Sequence, residues 1–171
     1  MNASIVLTVI CDDRPGIVEM LSKTLAEHEG NWVESSMLSL AGKFAGILQA
    51  SVPESQVDAL LAQFSAMQSS GLQIIAERSS VEATEQDATE VSLELVGQDR
   101  PGIVRDITRI LAKHGVNVVE LDTECQSASM SGEMLFVASA RLIIPAETSV
   151  ESLQEDLEKL ANELMVDITL E

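Results

Sequence analysis

The sequence predicts an α+β fold: two tandem ferredoxin-like modules, each ordered β-α-β-β-α-β and each a four-stranded antiparallel sheet with two helices on one face. Three observations predict it: a duplicated turn motif, apolar alternation of period two before each copy, and apolar stripes of helical period after it. Asp13-Arg14-Pro15-Gly16-Ile17-Val18 recurs 86 residues later as Asp99-Arg100-Pro101-Gly102-Ile103-Val104. The same offset pairs Ile5, Leu7 and Val9 with Val91, Leu93 and Leu95, His28 with His114, Asn31 with Asn117, and Val33-Glu34 with Val119-Glu120. Further on, Val52-Pro53 matches Ile144-Pro145, which leaves six extra residues in the second copy. They are expected at Gln126 to Gly132 as a longer hairpin loop, because that stretch is rich in Ser and ends in Gly.

Each module opens with a strand, Ile5 to Ile10 and Val91 to Val96, whose alternate apolar residues share one face. Asp-Arg-Pro-Gly then reads as a turn that starts a helix. Pro is tolerated in a first helical turn, and Asp13 and Asp99 are expected to accept from the free N–H groups there. Ile17, Leu21, Leu25 and Ile103, Ile107, Leu111 form the stripes of these helices. The helices should end near His28-Glu29-Gly30 and His114-Gly115. Strands follow from Asn31 and Asn117, then hairpins into Phe44 to Val52 and Met134 to Ile144, closed by Pro53 and Pro145. The second helices carry Val57, Leu60, Leu61, Phe64, Met67 and Val150, Leu153, Leu157, Leu160, Leu164. Short strands at Leu72 to Ala76 and Val166 to Leu170 complete the modules. The expected boundaries are 1–78 for the first module, 79–90 for an acidic linker and 91–171 for the second.

Composition narrows the function. The chain has 28 Asp and Glu against 10 Lys and Arg, a net charge of −18, and no region has an excess of basic groups. Duplex DNA binding draws on Lys and Arg set against phosphates, so direct nucleic-acid binding is not expected. With one Trp, three Phe and no Tyr, the core must be aliphatic. Cys11 and Cys125 are isolated and read as small buried hydrophobes in a reducing compartment. Met1 to Ser4 lack a basic segment and no apolar run approaches membrane-span length, so a cytoplasmic protein without a membrane partner is expected. No nucleophile-base-orienter set, Walker motif or dinucleotide fingerprint occurs, so no enzyme, metal site or cofactor is expected. His28 and His114 read as helix C-terminal caps. Glu34, Glu120, Asp122 and Glu124, at alternating strand positions, read as a solvated face.

The one suggestive site is the first strand-to-helix turn. Gly16 and Gly102 let a ligand approach the backbone, and the N–H groups of Gly16, Ile17, Gly102 and Ile103 lie at a helix N-terminus that favours a carboxylate. Asn31 and Asn117 can donate to and accept from a small polar ligand. A strand-turn-helix junction also needs Pro and Gly with nothing bound, so both readings stand at this point.

The duplicated Asp-Arg-Pro-Gly-Ile-Val turn and the His-x-x-Asn spacing within β-α-β-β-α-β resemble ACT domains, small regulatory modules that commonly bind amino acids. Two such domains filling nearly the whole chain are similar to a group of stand-alone repressors of the glycine cleavage genes. The resemblance implies a partner, a transcription activator protein bound in place of DNA, and an effector, glycine or another small amino acid, that relieves repression. It also implies a ligand near the first turn, where two domains meet. That carries onto Asp13, Arg14, Pro15, Gly16, Ile17 and Asn31, and onto Asp99, Arg100, Pro101, Gly102, Ile103 and Asn117. Edge strands or helix faces could support a homo-oligomer. The alternative function is a ligand-free ACT-type scaffold or dimerisation module.

Overall fold

The computed structural model describes residues 1–79, 88–129 and 131–171. The chain divides into two compact units, Met1–Glu82 and Ala83–Glu171. In the first unit the order is β1 (Asn2–Asp12), α1 (Ile17–Glu27), β2 (Asn31–Leu40), β3 (Lys43–Pro53), α2 (Val57–Ala66) and β4 (Gln73–Arg78). In the second it is β5 (Thr89–Gln98), α3 (Ile103–Lys113), β6 (Asn117–Ser127), β7 (Met134–Ile144), α4 (Val150–Leu164) and β8 (Val166–Leu170). Each unit is one four-stranded sheet, ordered β2-β3-β1-β4 and β6-β7-β5-β8, with every pairing antiparallel. This is the expected ferredoxin-like arrangement, twice.

The strands form because their alternation gives the helices something to cover. Ile5, Leu7, Val9 and Cys11 of β1 are buried, and they pack with Ile17, Leu21 and Leu25 of α1 and Val57, Leu60 and Phe64 of α2. In the second unit Leu93 and Leu95 meet Ile103, Ile107 and Leu111 of α3 and Leu153, Leu157 and Leu164 of α4. Phe64 is the one aromatic residue buried in either core, so the packing is aliphatic as expected. Burying each of these side chains contributes about 1.5–3 kcal/mol relative to exposure.

Local differences from the sequence reading have physical causes. Thr89 and Glu90, read as linker, are already strand, because they pair with Ile144 and Ile143. Residues 80–87 of that linker lie outside the described residues. Gln126 and Ser127, read as loop, pair with Leu135 and Met134, so they extend the ladder of the second hairpin. The α-helix of Val57 stops at Ala66, and Met67 falls in a 3-10 segment, Met67–Ser70, while α4 stays α-helical through Leu164. Ser149 caps α4 by accepting from the Ser152 N–H at 3.2 Å, a device with no counterpart at α2.

The faces of the two sheets away from the helices have diverged. On the first sheet Ile10, Leu38, Ile47 and Ile75 are exposed there. On the second, Glu94, Glu120, Asp122, Glu124 and Asp167 occupy that face.

Gly97 pairs with Val166 at the end of the β5–β8 ladder. A Cβ at that position would lie inside the van der Waals shell of Val166 Cγ1 and Cβ. Gly97→Ala should therefore cost about 1–3 kcal/mol of unfolding free energy through overpacking, read from urea denaturation. A loss below about 0.5 kcal/mol, the usual size of a surface substitution, would mean that β8 shifts aside at little cost.

Candidate functional site

In each unit the central strand ends in a turn tied to the neighbouring hairpin. In the first, the Asp13 N–H donates to the Gly42 carbonyl at 2.9 Å, and the Ser39 hydroxyl donates to Asp13 Oδ2 at 2.6 Å. The Arg14 guanidinium donates to the Ser70 carbonyl at 2.8 Å, tying the turn to the end of the α2 segment. Ile17 is buried and anchors the turn to the core. The expected capping by Asp13 is not what forms: its carboxylate is committed to Ser39, and no side chain caps α1. Pro15 lies before the helix, and Gly16 is the N-cap at φ +92°, with its carbonyl accepting from Met20 N–H at 3.0 Å. That backbone conformation is one that L residues adopt at a cost of about 1–2 kcal/mol. Gly16 therefore has a conformational reason to be glycine, quite apart from any ligand.

The second turn repeats this frame with different side chains. The Asp99 N–H donates to the Met134 carbonyl at 2.9 Å, and Gly102 caps α3 at φ +97°. The place of Ser39, opposite Phe44, is taken by Cys125, opposite Phe136. Desolvation and the neighbouring Asp99 carboxylate push the Cys125 thiol up, which disfavours the thiolate. Cys125 is exposed, a correction to the buried reading, because edge strand β6 carries it past the cover of the helices; Cys11 is buried as expected. The Arg105 guanidinium lies 3.1 Å from where a Gly102 Cβ would stand and donates to Asp106 Oδ1 at 2.9 Å.

Asn31 and Asn117 are elsewhere. Asn31 pairs with Ser51, and Ser51 with Ser4, at the opposite end of the sheet from Asp12 and Lys43. Ser39, beside Asp13, is eight residues along β2 from Asn31, which is roughly 26 Å at about 3.3 Å per residue. Asn117 and Cys125 stand in the same relation on β6. Within one module the structure thus brings together Asp13 to Ile17, or Asp99 to Ile103, and keeps the Asn apart from them.

The two histidines have separate roles. His28 Nδ1 lies 2.8 Å from the Thr24 carbonyl and donates to the end of α1, as a C-cap does. His114 Nε2 instead lies 3.1 Å from Asp156 Oδ2, which also accepts from Lys113 at 2.9 Å, clamping α3 to α4. Sequence periodicity could not reveal this clamp, since Asp156 sits on a helix 42 residues away. Glu120 pairs with Arg141 at 3.4 Å on the open sheet face. Among the described residues there is no cluster of metal-ligating groups, and no helix is long and apolar enough to cross a membrane.

The ACT-domain profile matches residues 3–75 and 91–171. An unknown protein from Galdieria sulphuraria has a solved structure with 34% identity and a TM-score of 0.87, over 100% of this chain and 98% of that one. The structure of a candidate glycine cleavage system transcriptional repressor aligns with 19% identity and a TM-score of 0.69, over 100% and 97% of the two chains. At that identity the likeness is one of fold. A UPF0237 protein of Methanopyrus kandleri is 30% identical over 83 residues, 48% of this chain and 87% of its own length.

Two outcomes follow from this geometry. Gly16→Ala meets no neighbouring atom within 4 Å, so its cost should be purely conformational, about 1–2 kcal/mol by urea unfolding; an unchanged midpoint would show that the turn relaxes. For the clamp, hydrogen bonds from Lys113 and His114 hold the Asp156 carboxyl well below the usual carboxylate range. A lowered folded-state value stabilises above the unfolded value of about 3.9 and is lost as pH falls through the folded one. Asp156→Asn should thus unfold at lower urea than the parent at neutral pH, with the gap closing below about pH 4. A gap that persists undiminished into strong acid would sever the clamp from stability.

Proposed function

The chain belongs to the ACT-domain family, and on that premise we propose that it is a non-enzymatic, amino-acid-responsive cytoplasmic regulator. It represses transcription of glycine cleavage genes by binding an activator protein rather than DNA, and a small amino acid, glycine first among them, relieves the repression. The observation that carries the reading is the pair of helix N-termini at Gly16 and Gly102, which no side chain caps. Such an end favours a carboxylate through its free N–H groups and the helix dipole.

Charge supports the choice of a protein partner. Most cations of the described residues are already paired: Lys43 with Asp12, Arg78 with Glu54, Arg105 with Asp106, Lys113 and Lys159 with Asp156, Arg141 with Glu120. A chain of net charge −18 repels phosphates and attracts a basic surface, which a DNA-binding activator carries. For an amino acid to act as a switch, it must bind the partner-free and partner-bound states unequally.

Thermal unfolding against the twenty amino acids tests the reading. A ligand that binds only the folded chain at one hundred times its Kd adds about 2.7 kcal/mol of stability. Glycine is expected to raise the midpoint in a dose-dependent way. A rise with another amino acid alone moves the regulated pathway, and no rise with any of them favours the ligand-free scaffold. Retardation of duplex DNA by the purified chain at physiological salt would overturn the protein-partner mechanism.

A further inference from the structure

The open face of the first sheet has an apolar centre and a polar rim. The ladder registers set Thr8, Ile47 and Ile75 side by side across β1, β3 and β4, with Ile10, Ala45 and Leu38 in the neighbouring row. Leu38 and Ile47 are each 52% exposed and Ile75 is 71% exposed. Charges stand at the two ends of this patch. Asp12 pairs with Lys43 at one end, and Glu34 and Glu77 close the row of Gln49 and Val6 at the other. Single exposed apolar residues are ordinary, but a contiguous apolar centre inside a polar rim is how interfaces are built. The feature belongs to the first module alone: the repeat places Glu94 where the first sheet has Thr8, and Glu124 where it has Leu38.

We propose that this face docks onto the same face of a second copy of the chain, so that two first modules stack sheet to sheet with their helices outermost. Shape favours that occupant. Beside Ile47 the face holds a hollow of about 240 Å³, lined also by Val6, Glu34, Ser36 and Gln49, while Ile75 stands exposed on β4 at the opposite edge. A two-fold axis running along the strands between β1 and β3 lays β4 of one copy over β2 of the other and sets each Ile75 over the other copy's hollow. Stacked sheets lie about 10 Å apart with strands within about 30° of each other, which keeps that alignment. Area favours it as well. Strands β1 and β3 are 11 residues long, and the four strands cover roughly 600 Å² in projection at about 3.3 Å per residue and 4.8 Å between strands. A corrugated face exposes more accessible surface than its projection, so covering it approaches the about 800 Å² per partner of a standard interface.

Charge selects among the remaining occupants. The same contact between two second modules would set carboxylates against carboxylates, and a basic partner meets acidic surface instead of this one. The apolar centre of the first sheet meets itself without leaving a charge buried and unpaired. Glu34 and Glu77 at the rim, and the net charge of −18, oppose association of two copies. Salt removes that opposition, since the screening length is only about 10 Å at 0.1 M, so the dimer tightens as ionic strength rises. The interface uses neither the sheet edges nor the helix ends at Gly16 and Gly102. It does not rest on what those helix ends bind.

The test is sedimentation velocity of the full chain over a range of concentrations, with methyl NMR of the same samples. A monomer–dimer equilibrium is expected. The methyl signals of Ile47 and Ile75 should move with concentration, while that of Ile107, in the core of the second module, stays fixed. Ile47→Lys should weaken the dimer at least about thirtyfold, the scale of a central hot spot. Ile47 lies on an interior strand, so pairing through edge strands would be untouched by that change. Ile75→Ser, at a well-exposed site, should weaken the dimer in the same sense with an unchanged urea midpoint, which keeps the test decisive if Ile47→Lys fails to fold. Val18→Lys, at an exposed position of α1, should leave the dimer intact. A chain that stays monomeric throughout overturns the proposal. So does a dimer that survives Ile47→Lys and Ile75→Ser, one lost equally in Val18→Lys, or one that loosens as salt is raised.

Discussion

A chain leaving the central strand of a sheet has both edges of that strand already bonded, here β1 between β3 and β4 and β5 between β7 and β8. It must climb from the sheet layer to the helix layer within a few residues of the last ladder pair. The glycines at φ +92° and +97° make that step, since a residue with a Cβ is strained in this backbone region. Everything near the candidate site depends on the step. It aims the helix axis so that Ile17 and Ile103 enter the core, and it leaves the helix end uncapped beyond the strand. The N–H groups of Asp13 and Asp99 lock it to the neighbouring hairpins.

With the frame fixed, the repeat is free to vary wherever the core is not concerned. The apolar open face of the first sheet and the acidic one of the second show how far side chains drift when only the inward positions of a strand are constrained. The helix layers diverged as well. Ending α2 at Ala66 and continuing as a 3-10 segment supplies a carbonyl for Arg14, while a longer α4 does not supply one for Arg100. A length change in one helix thus alters the electrostatics of a turn that is distant in sequence.

The fold was legible because its signals are periodic. Ile5, Leu7, Val9 and Ile17, Leu21, Leu25 announce a strand and a helix, and the second copy repeats the statement independently. What periodicity cannot carry is choice among local partners. Asp13 has the chemistry of an N-cap, yet Ser39, from a strand 26 residues away, claims its carboxylate. Asn31 follows His28 closely in sequence, but α1 between the turn and the Asn spans the module, so the two halves of the sequence-derived site lie at opposite ends. The contact of His114 with Asp156 carries no motif either, and it exists only because α3 and α4 pack side by side.

Charge links these levels. A chain with 28 acidic and 10 basic groups has few cations to spare, and most of those described lie in ion pairs. Exposed pairs of this kind contribute at most about 1 kcal/mol each, so they are poor candidates for the cause of the fold. Their larger effect is on recognition: each pair removes a cation that could otherwise have met a phosphate or a carboxylate. The helix ends at Gly16 and Gly102 add backbone N–H groups that no side chain caps. A surface so arranged opposes polyanions by its overall field. The proposed regulator, which works through a basic protein partner, needs that same field.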